Sequence, residues 1–259
     1  MTAWIWSGVE FSNGAKLLSR ELGIKRIPHS FIGTKVKQGD VIINWGGTNL
    51  PMEHQKYARQ ILNEPLCIRR VSNKLTFFDQ AHPVCRTVPH FTDKGLVQTQ
   101  LVAGKKVMAR TLLNGHSGKG IVLIEKEVDI VDAPLYTVYI PKKFEFRIHI
   151  VNSDVVDIQR KIKRPDFKGE VDWHIRNHSG GFIYVRNGVR DLCPQDCIDQ
   201  ALLAMDAVDL QFGAVDVIYN EKDSKAYVLE INSAPGLEGT TVKLYADALR
   251  KNFGEVLHL

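Results

Sequence analysis

Two strand-like segments joined by a polar turn are the feature that most constrains the fold of this chain. Residues 213–219 and 226–232 are mostly apolar, and the turn-forming stretch Asn-Glu-Lys-Asp-Ser lies between them at residues 220–224. Apolar segments separated by a short polar turn are typical of a β-hairpin. The sequence therefore predicts an antiparallel pair of strands here.

Three polar side chains interrupt these apolar segments. Side chains alternate between the two faces of a strand, so Glu230 and Asn232 share one face with Val228 and can reach one ion together. Asp216 lies on the preceding strand, and pairing of the strands brings it close to them. The three side chains offer only oxygen ligands, which suit a hard cation such as Mg²⁺. The alternative is a hairpin with ordinary acidic residues on its solvated face.

A strict alternation of apolar and polar residues marks a second segment, FEFRIHIV at residues 144–151. This pattern predicts a half-buried strand with Glu145, Arg147 and His149 on its polar face. The planar guanidinium of Arg147 suits phosphate oxygens. The alternative is that Glu145 forms an ion pair with a neighbouring strand.

A glycine-containing loop at residues 114–120 lies between two further strand-like segments. Glycines allow backbone N–H groups to turn towards phosphate oxygens, and a lysine adds positive charge. The candidate phosphate-binding residues are His116, Ser117, Gly118, Lys119 and Gly120. An ordinary hairpin turn is the alternative. The loop lacks the GxxxxGK[ST] pattern of a Walker loop.

The hairpin motifs FGAVDVI and VLEINSAPGL resemble the metal-binding end of the ATP-grasp superfamily. The resemblance is to carboxylate-amine ligases of the ribosomal-protein glutamate ligase and D-alanine:D-alanine ligase type, and it runs from Lys74 to Leu259. It implies an α/β ATP-grasp fold, in which a small N-terminal parallel-sheet lobe accompanies two lobes that clasp ATP. It also implies that Asp216, Glu230 and Asn232 hold Mg²⁺ against the ATP phosphates.

The same resemblance implies roles for the central strand and the strand that follows it. Glu145 and Arg147 match an acidic residue two positions before an arginine that contacts the transferred phosphoryl group. Arg160 and Lys161 match a basic pair that follows this strand in peptide-forming members. Either Arg160 or Lys161 would hold the acyl phosphate.

The resemblance also implies a nucleotide-binding set. Lys74 and Arg110 match the two positions that contact phosphates, although the later position is usually a lysine. The hinge at residues 136–140, including Tyr139 and Ile140, would read the adenine edge through its backbone. Arg176 and Asn177, in WHIRNHSGG, would contact substrate or phosphate.

The implied activity is an ATP-dependent ligation of a carboxylate to an amine through an acyl phosphate. The products would be an amide or peptide, ADP and phosphate, and the partners would be small-molecule or peptide carboxylates and amines. Two alternatives stay open: an ATP-grasp-like small-molecule kinase and a non-catalytic nucleotide-binding module. Arg110 in place of lysine keeps the second alternative open.

The rest of the chain supports an α/β assembly. Residues 12–23 have helical spacing and end at Gly23, and residues 41–47 resemble a strand, which together predict a small parallel sheet. Helices are predicted at residues 194–210 and 240–252. We expect an N-terminal lobe at residues 1–71, a central lobe with the glycine loop at residues 72–134, and a metal-binding lobe at residues 135–259.

Composition is that of a globular protein. The 259 residues are 44% hydrophobic and 24% charged, with a formal net charge of +5. We find no apolar run of about 18 residues, so a membrane partner is not expected and a cytoplasmic location is the default. The Lys and Arg residues are spread out, which leaves nucleic acid neither indicated nor excluded. The four cysteines are scattered and are expected to be free thiols.

Overall fold

The computed structural model describes residues 1–29, 35–115 and 118–258. The described strands form three sheets, one of four parallel strands and two of antiparallel strands. The predicted α/β class is confirmed. The division of the chain into lobes at residues 71 and 134 stays a prediction.

The N-terminal sheet has the strand order β2-β1-β3-β4, with all strands parallel. Its first helix begins where Ser12 Oγ accepts a hydrogen bond from the Ala15 N–H, and it ends at Gly23, whose φ of 72° is left-handed. The predicted strand, helix, strand order is therefore present. The elements are β1 (Ala3–Ser7), α1 (Asn13–Leu22), β2 (Lys25–Arg26), β3 (Val41–Trp45), α2 (Met52–Tyr57) and β4 (Gln60–Leu62).

Two helices lead from this sheet to the next. They are α3 (Pro65–Ser72) and α4 (Lys74–Ala81). Asn73 caps α4, because its side chain accepts a hydrogen bond from the Thr76 N–H. Lys74 is thus the first residue of a helix, with a nearly buried side chain.

The middle sheet has the strand order β5-β8-β6-β7 and is antiparallel. The glycine loop connects β6 to β7, as the sequence predicts. A helix packs on one face of the sheet around Val97 and Tyr136. The elements are β5 (His90–Phe91), α5 (Gly95–Val102), β6 (Val107–Arg110), β7 (Ile121–Ile124) and β8 (Leu135–Val138).

The central sheet has five antiparallel strands in the order β11-β10-β9-β12-β13. The predicted hairpin is its β12–β13 pair, and both predicted helices are present. The elements are β9 (Phe144–Val151), β10 (Asp154–Lys163), β11 (Phe182–Val185), α6 (Gln195–Ala207), β12 (Phe212–Asn220), β13 (Lys225–Asn232) and α7 (Thr241–Leu257).

One detail of the predicted hairpin is wrong. The pairing register shifts between Asp216 and Val217, so Asp216 lies opposite Glu230 whereas Val217 lies opposite Val228. A β-bulge breaks the alternation of side chains. Val228 therefore packs in the hydrophobic core instead of sharing the face of Glu230 and Asn232.

The largest hydrophobic cluster lies between the central sheet and the helices α3, α4 and α6. A second cluster joins the N-terminal sheet to α1, α7 and the end of the central sheet. Helices on both sides of the central sheet hold its strands in place, and the Glu145 and Arg147 side of β9 is left for a cavity.

Asn63 connects the N-terminal sheet to the central sheet. Its Nδ2 donates to Phe212 O at 2.8 Å, and its Oδ1 accepts from the N–H groups of Gln211 at 2.8 Å and Phe212 at 3.2 Å. Trp45 also stacks on Phe212, with ring centroids 5.3 Å apart. These contacts fix the two sheets against each other.

Two further expectations concern cysteines and membrane segments. All four cysteines are free, as the sequence predicts. Among the helices that the structure describes, none combines the length and the apolar character needed to cross a bilayer.

Candidate active site

A cavity of about 910 Å³ lies between the middle sheet and the central sheet. The glycine loop, the hinge after β8, and the loops after β11 and β13 complete its walls. Most of the predicted site residues line it: Lys74, Arg110, Gly118, Lys119, Tyr139, Ile140, Glu145, Arg147, Lys161, Arg176, Asn177, Asp216, Glu230 and Asn232. Gly120 and Arg160 are not part of this lining, and His116 and Ser117 lie outside the described residues.

The predicted metal ligands lie together on the β12–β13 hairpin. Asp216 is directly opposite Glu230, and Asn232 Nδ2 is 3.4 Å from Glu230 Oε1. Lys74 Nζ forms an ion pair with Glu230 Oε2 at 2.8 Å. Burial alone would raise the pKa of Glu230, but the positive charge of Lys74 outweighs burial and lowers this pKa to about 2. Glu230 is therefore an ionised carboxylate at neutral pH.

Arg147 lies on β9, opposite Asp216 of the neighbouring strand. Its Nε donates to Asp216 Oδ1 at 2.7 Å and its Nη2 donates to Asp216 Oδ2 at 2.8 Å. The Tyr184 ring covers the guanidinium at 4.3 Å, and the Tyr184 hydroxyl donates to Asp216 Oδ2 at 3.3 Å. Burial and the Asp216 charge raise the pKa of Tyr184, so this hydroxyl stays protonated. Arg147 is thus fixed between a carboxylate and an aromatic ring.

Glu145 is a buried carboxylate held by two lysines. Lys142 Nζ is 3.1 Å from Glu145 Oε2, and Lys161 donates to Glu145 Oε1. Burial would raise the pKa of Glu145, but the two lysine charges lower it. The cross-strand ion pair considered for Glu145 is therefore present, and it fixes Lys161 at the cavity wall.

The structure separates the two candidates for holding the acyl phosphate. Arg160 lies opposite Phe146 in the β9–β10 register and covers the Phe144 ring at 4.5 Å. Lys161 is the next residue, and it lines the cavity beside Glu145. Of the two candidates, Lys161 is the one that faces the cavity, because neighbouring residues of a strand point to opposite faces, and its contact with an acyl phosphate stays a prediction.

Two cations on the phosphate side of the cavity, Arg110 and Lys119, form no ion pair with a carboxylate of the described residues. Arg110 Nε is buried and has no hydrogen-bond partner within the described residues. Gly118 has a φ of +79°, and a Cβ placed there would lie 2.6 Å from Ile175 Cγ2. The glycine loop therefore touches the segment that carries Arg176. Arg110 and Lys119 both line the cavity here.

The hinge forms the opposite, more apolar side. Val138 and Tyr139 already use their N–H groups, which donate to Pro89 O at 2.8 Å and Lys106 O at 2.9 Å. These two N–H groups are therefore already engaged, and the reading of a base edge by the hinge backbone stays a prediction. His174 packs on Tyr139 with ring centroids 5.0 Å apart. Val88, Met108, Val138, Ile140 and Leu229 supply an apolar lining that suits a flat aromatic base.

Arg176 and Asn177 both line the cavity, but the Arg176 guanidinium is hydrogen-bonded to the backbone that follows the hinge. Its guanidinium donates to Lys142 O at 2.9 Å and to Lys143 O at 3.3 Å. The Arg176 carbonyl accepts from Lys161 Nζ at 3.1 Å. Arg176 thus holds the 172–178 segment over the cavity.

A third group of lining residues follows β11 and β13. Arg186 pairs with the buried Asp157 at 3.0 Å and donates to Glu238 O at 3.3 Å, to Thr240 and to Thr241. Glu238, Gly239 and Thr240 also line the cavity. Arg186 therefore fixes the loop between the metal-type residues and α7.

Sequence reasoning missed Lys142, Tyr184, Arg186 and Glu238. Lys142 had a weak signal, because it lies two residues after the predicted hinge. Tyr184 lies on the short strand β11 and Arg186 directly follows it, and the position of this strand against β10 depends on a long connection. Glu238 is close to the motif at residues 228–237, and only the shape of the cavity assigns it to the site.

The donor set fits a magnesium ion and a polyphosphate. Asp216, Glu230 and Asn232 provide oxygen ligands on adjacent strands, and the buried, unpartnered Arg110 Nε provides a donor for an anion. No cluster of three or more His, Cys, Asp or Glu side chains suited to a metal occurs in residues 1–29, 35–115 and 118–258. Any metal here would therefore depend on Asn232 and on ligand oxygens.

No protein-family model matches this chain. No curated protein sequence matches it either.

Solved structures do match it over nearly the whole chain. The ATP-grasp ligase PsnB, complexed with a phosphomimetic variant of a minimal precursor, Mg and ADP, has a TM-score of 0.67 at 11% identity, covering 97% of this chain and 98% of PsnB. A RiPP-associated ATP-grasp ligase from Chryseobacterium gregarium, in complex with ADP and a leader and core peptide, has a TM-score of 0.65 at 14% identity, covering 97% of each chain.

D-cycloserine synthetase DcsG has a TM-score of 0.65 at 14% identity, covering 96% of this chain and 98% of the synthetase. At such low identity, the similarity concerns the fold. The parallel N-terminal sheet and the two antiparallel sheets agree with the α/β fold that the family resemblance implies. The chain has the ATP-grasp fold.

Proposed function

We propose that this chain is an ATP-dependent ligase that joins a carboxylate to an amine and releases ADP and phosphate. The observation that carries the proposal is that one cavity combines the Asp216, Glu230 and Asn232 oxygens with the cations Arg147 and Lys161. Similar folds are solved with ADP and with peptide substrates, which supports peptide or small-molecule substrates here.

Asp216, Glu230 and Asn232 would hold magnesium, and Lys74, Arg110 and Lys119 would contact the ATP phosphates. Bound magnesium supplies charge neutralisation at the phosphate that is transferred. Lys74 would lie between the metal ligands and the phosphates, because its Nζ pairs with Glu230 Oε2 at 2.8 Å. The apolar hinge side of the cavity would hold the base.

The chain's own residues would stabilise charge and exclude water. The substrate carboxylate attacks the γ-phosphorus, the bond to ADP breaks, and an acyl phosphate forms. Arg147 and Lys161 would donate to the oxygens on which negative charge accumulates, and their fixed positions reduce the reorganisation that this requires. Glu145 and Tyr184 keep those two cations in place. The amine then displaces phosphate, so no protein nucleophile is needed.

The test is hydroxamate formation with magnesium-ATP, hydroxylamine and pools of carboxylates, combined with an ADP-versus-AMP assay. Hydroxylamine traps an activated acyl group whatever the natural amine is. We expect hydroxamate and ADP from the wild type, and neither from Glu230→Gln. Glu255→Gln is the matched control, because Glu255 is exposed on α7 away from the cavity.

The outcomes separate the candidate reactions. Hydroxamate with ADP supports the ligase and names the acid. AMP as the product contradicts acyl-phosphate chemistry. A stable phosphate ester without hydroxamate shows a kinase, and ATP binding without any turnover shows a nucleotide-binding module.

A further inference from the structure

The charge of the cavity is strongly asymmetric. Eight Lys and Arg side chains line it, against four carboxylates, among the residues that the structure describes. This excess suits ATP and a carboxylate substrate. It disfavours a second substrate that arrives as a positively charged ammonium, because like charges repel. An amine therefore needs a local anion.

Three of the four carboxylates already have cations beside them. Asp216 pairs with Arg147 at 2.7 Å, Glu230 pairs with Lys74 at 2.8 Å, and Glu145 pairs with two lysines. The fourth is Glu238. Its carboxylate has no hydrogen-bond or ion-pair partner within the described residues.

The backbone of Glu238 is held in place, whereas its exposed side chain is free. Its backbone carbonyl accepts from Arg186 at 3.3 Å and from the Thr241 N–H at 3.2 Å. Arg186 in turn pairs with the buried Asp157 at 3.0 Å. The loop thus holds a free carboxylate at the cavity, on the segment that follows the β13 residues Glu230 and Asn232.

We propose that Glu238 is the amine-binding residue of this site: its carboxylate binds the substrate ammonium and accepts one of its protons. This inference rests on the proposed ligase function and deepens it. The amine substrate is accordingly one that arrives protonated, and Arg186 with Asp157 positions the loop that receives it.

The proton balance is simple. The ammonium gives one proton to the Glu238 carboxylate, which frees the nitrogen lone pair. That lone pair forms the C–N bond to the acyl carbon, and the C–O bond to phosphate breaks with its electron pair. The second N–H proton leaves with the phosphate, and the Glu238 carboxyl later loses its proton to water.

The test compares two kinds of nucleophile with the acid that the hydroxamate screen identifies. Hydroxylamine is mainly unprotonated at neutral pH and needs no carboxylate to remove a proton. Ammonia, methylamine, glycine and putrescine are mainly ammonium ions and do need one. We would measure product formation with each nucleophile for the wild type, Glu238→Gln and Glu255→Gln, with melting temperatures to confirm folding.

We expect Glu238→Gln to lose at least about tenfold in amide formation from the ammonium nucleophiles and to keep hydroxamate formation within about twofold. Glu255→Gln should match the wild type with both kinds of nucleophile. The apparent KM for ATP should stay unchanged in Glu238→Gln, which a general disturbance of the cavity would not allow.

Two results would overturn the assignment. Glu238→Gln could lower both products equally, or it could lower neither. Each would leave the ligase proposal standing. An absence of hydroxamate from the wild type would instead reject the ligase function, and the role of Glu238 with it.

Discussion

Arg147 binds Asp216 through two parallel hydrogen bonds, from Nε to Oδ1 at 2.7 Å and from Nη2 to Oδ2 at 2.8 Å. Such a planar, two-bond pairing is specific to arginine. It connects the strand expected to contact the transferred phosphate with the strand expected to contact the metal. The two roles are therefore mechanically coupled across one strand pair.

Removal of Arg147 should destabilise the fold. The Asp216 side chain is 5% exposed. The Arg147→Met substitution therefore leaves the Asp216 charge buried without its partner cation. We expect the free energy of unfolding to fall by about 3–5 kcal/mol, measured by urea unfolding at neutral pH. The double variant Arg147→Met, Asp216→Asn should recover much of the loss. A single variant as stable as the wild type would contradict the buried pairing.

Lys161 and Arg160 form a matched pair of neighbours on opposite faces of β10. We expect Lys161→Met to lower hydroxamate turnover by about a hundredfold, because it removes a donor to developing charge. Arg160→Met should keep most of the activity. The measurement is kcat with magnesium-ATP and saturating acid. Equal losses in the two variants would show that the face of the strand does not decide the role.

Tyr184 should act through its ring more than through its hydroxyl. The ring lies 4.3 Å from the Arg147 guanidinium, whereas the hydroxyl bond to Asp216 is long at 3.3 Å. Tyr184→Phe should therefore retain most turnover, and Tyr184→Leu should lose about tenfold, as loss of a desolvated cation–π contact implies. Steady-state kinetics on both variants checks this. The reverse ranking would make the hydroxyl the important group.

His149 should make stability depend on pH. Burial, followed by the charge of Arg147, lowers the pKa of His149 to about 4, although Asp157 and Asp216 oppose the shift. The unfolded chain takes up this proton near pH 6.5, so the contribution is complete above about pH 6.5 and is lost as pH falls towards about 4. Over this pH range, the free energy of unfolding falls by about 3 kcal/mol in total because of His149.

The check is urea unfolding of the wild type and His149→Gln across that pH range. Other acidic groups also titrate there, so the difference between the two proteins is the quantity to follow. We expect this difference to shrink steadily as pH falls. A constant difference would mean that folding does not lower the pKa of His149.

Local sequence patterns were sufficient for much of the fold. Ser12 and Gly23 mark the ends of α1 because helix caps are local interactions. The alternation of apolar and polar residues in 144–151 is also a local pattern, and it correctly placed Glu145 and Arg147 on the same polar face of the strand. The position of Val228 was wrong, because the bulge beside Asp216 depends on pairing with a neighbouring strand and leaves no local signature.

The candidate site was predictable where motifs are short and contiguous. Asp216, Glu230 and Asn232 fall within one hairpin, so their proximity follows from strand geometry. Tyr184 and Arg186 reach the cavity through contacts with residues distant in the chain, namely Arg147 and Asp157. Such contacts arise from tertiary packing, which a single sequence does not encode in any local pattern.

Asn63 limits how this protein can be recombined with its structural relatives. Both polar atoms of its side-chain amide form hydrogen bonds with the backbone of Gln211 and Phe212. Its φ of 62° is left-handed, a conformation that few residues other than Asn and Gly adopt readily. A chimera that replaces the first sheet must therefore import the matching 211–212 turn as well. The two segments would be exchanged as one module, although about 150 residues separate them in the chain.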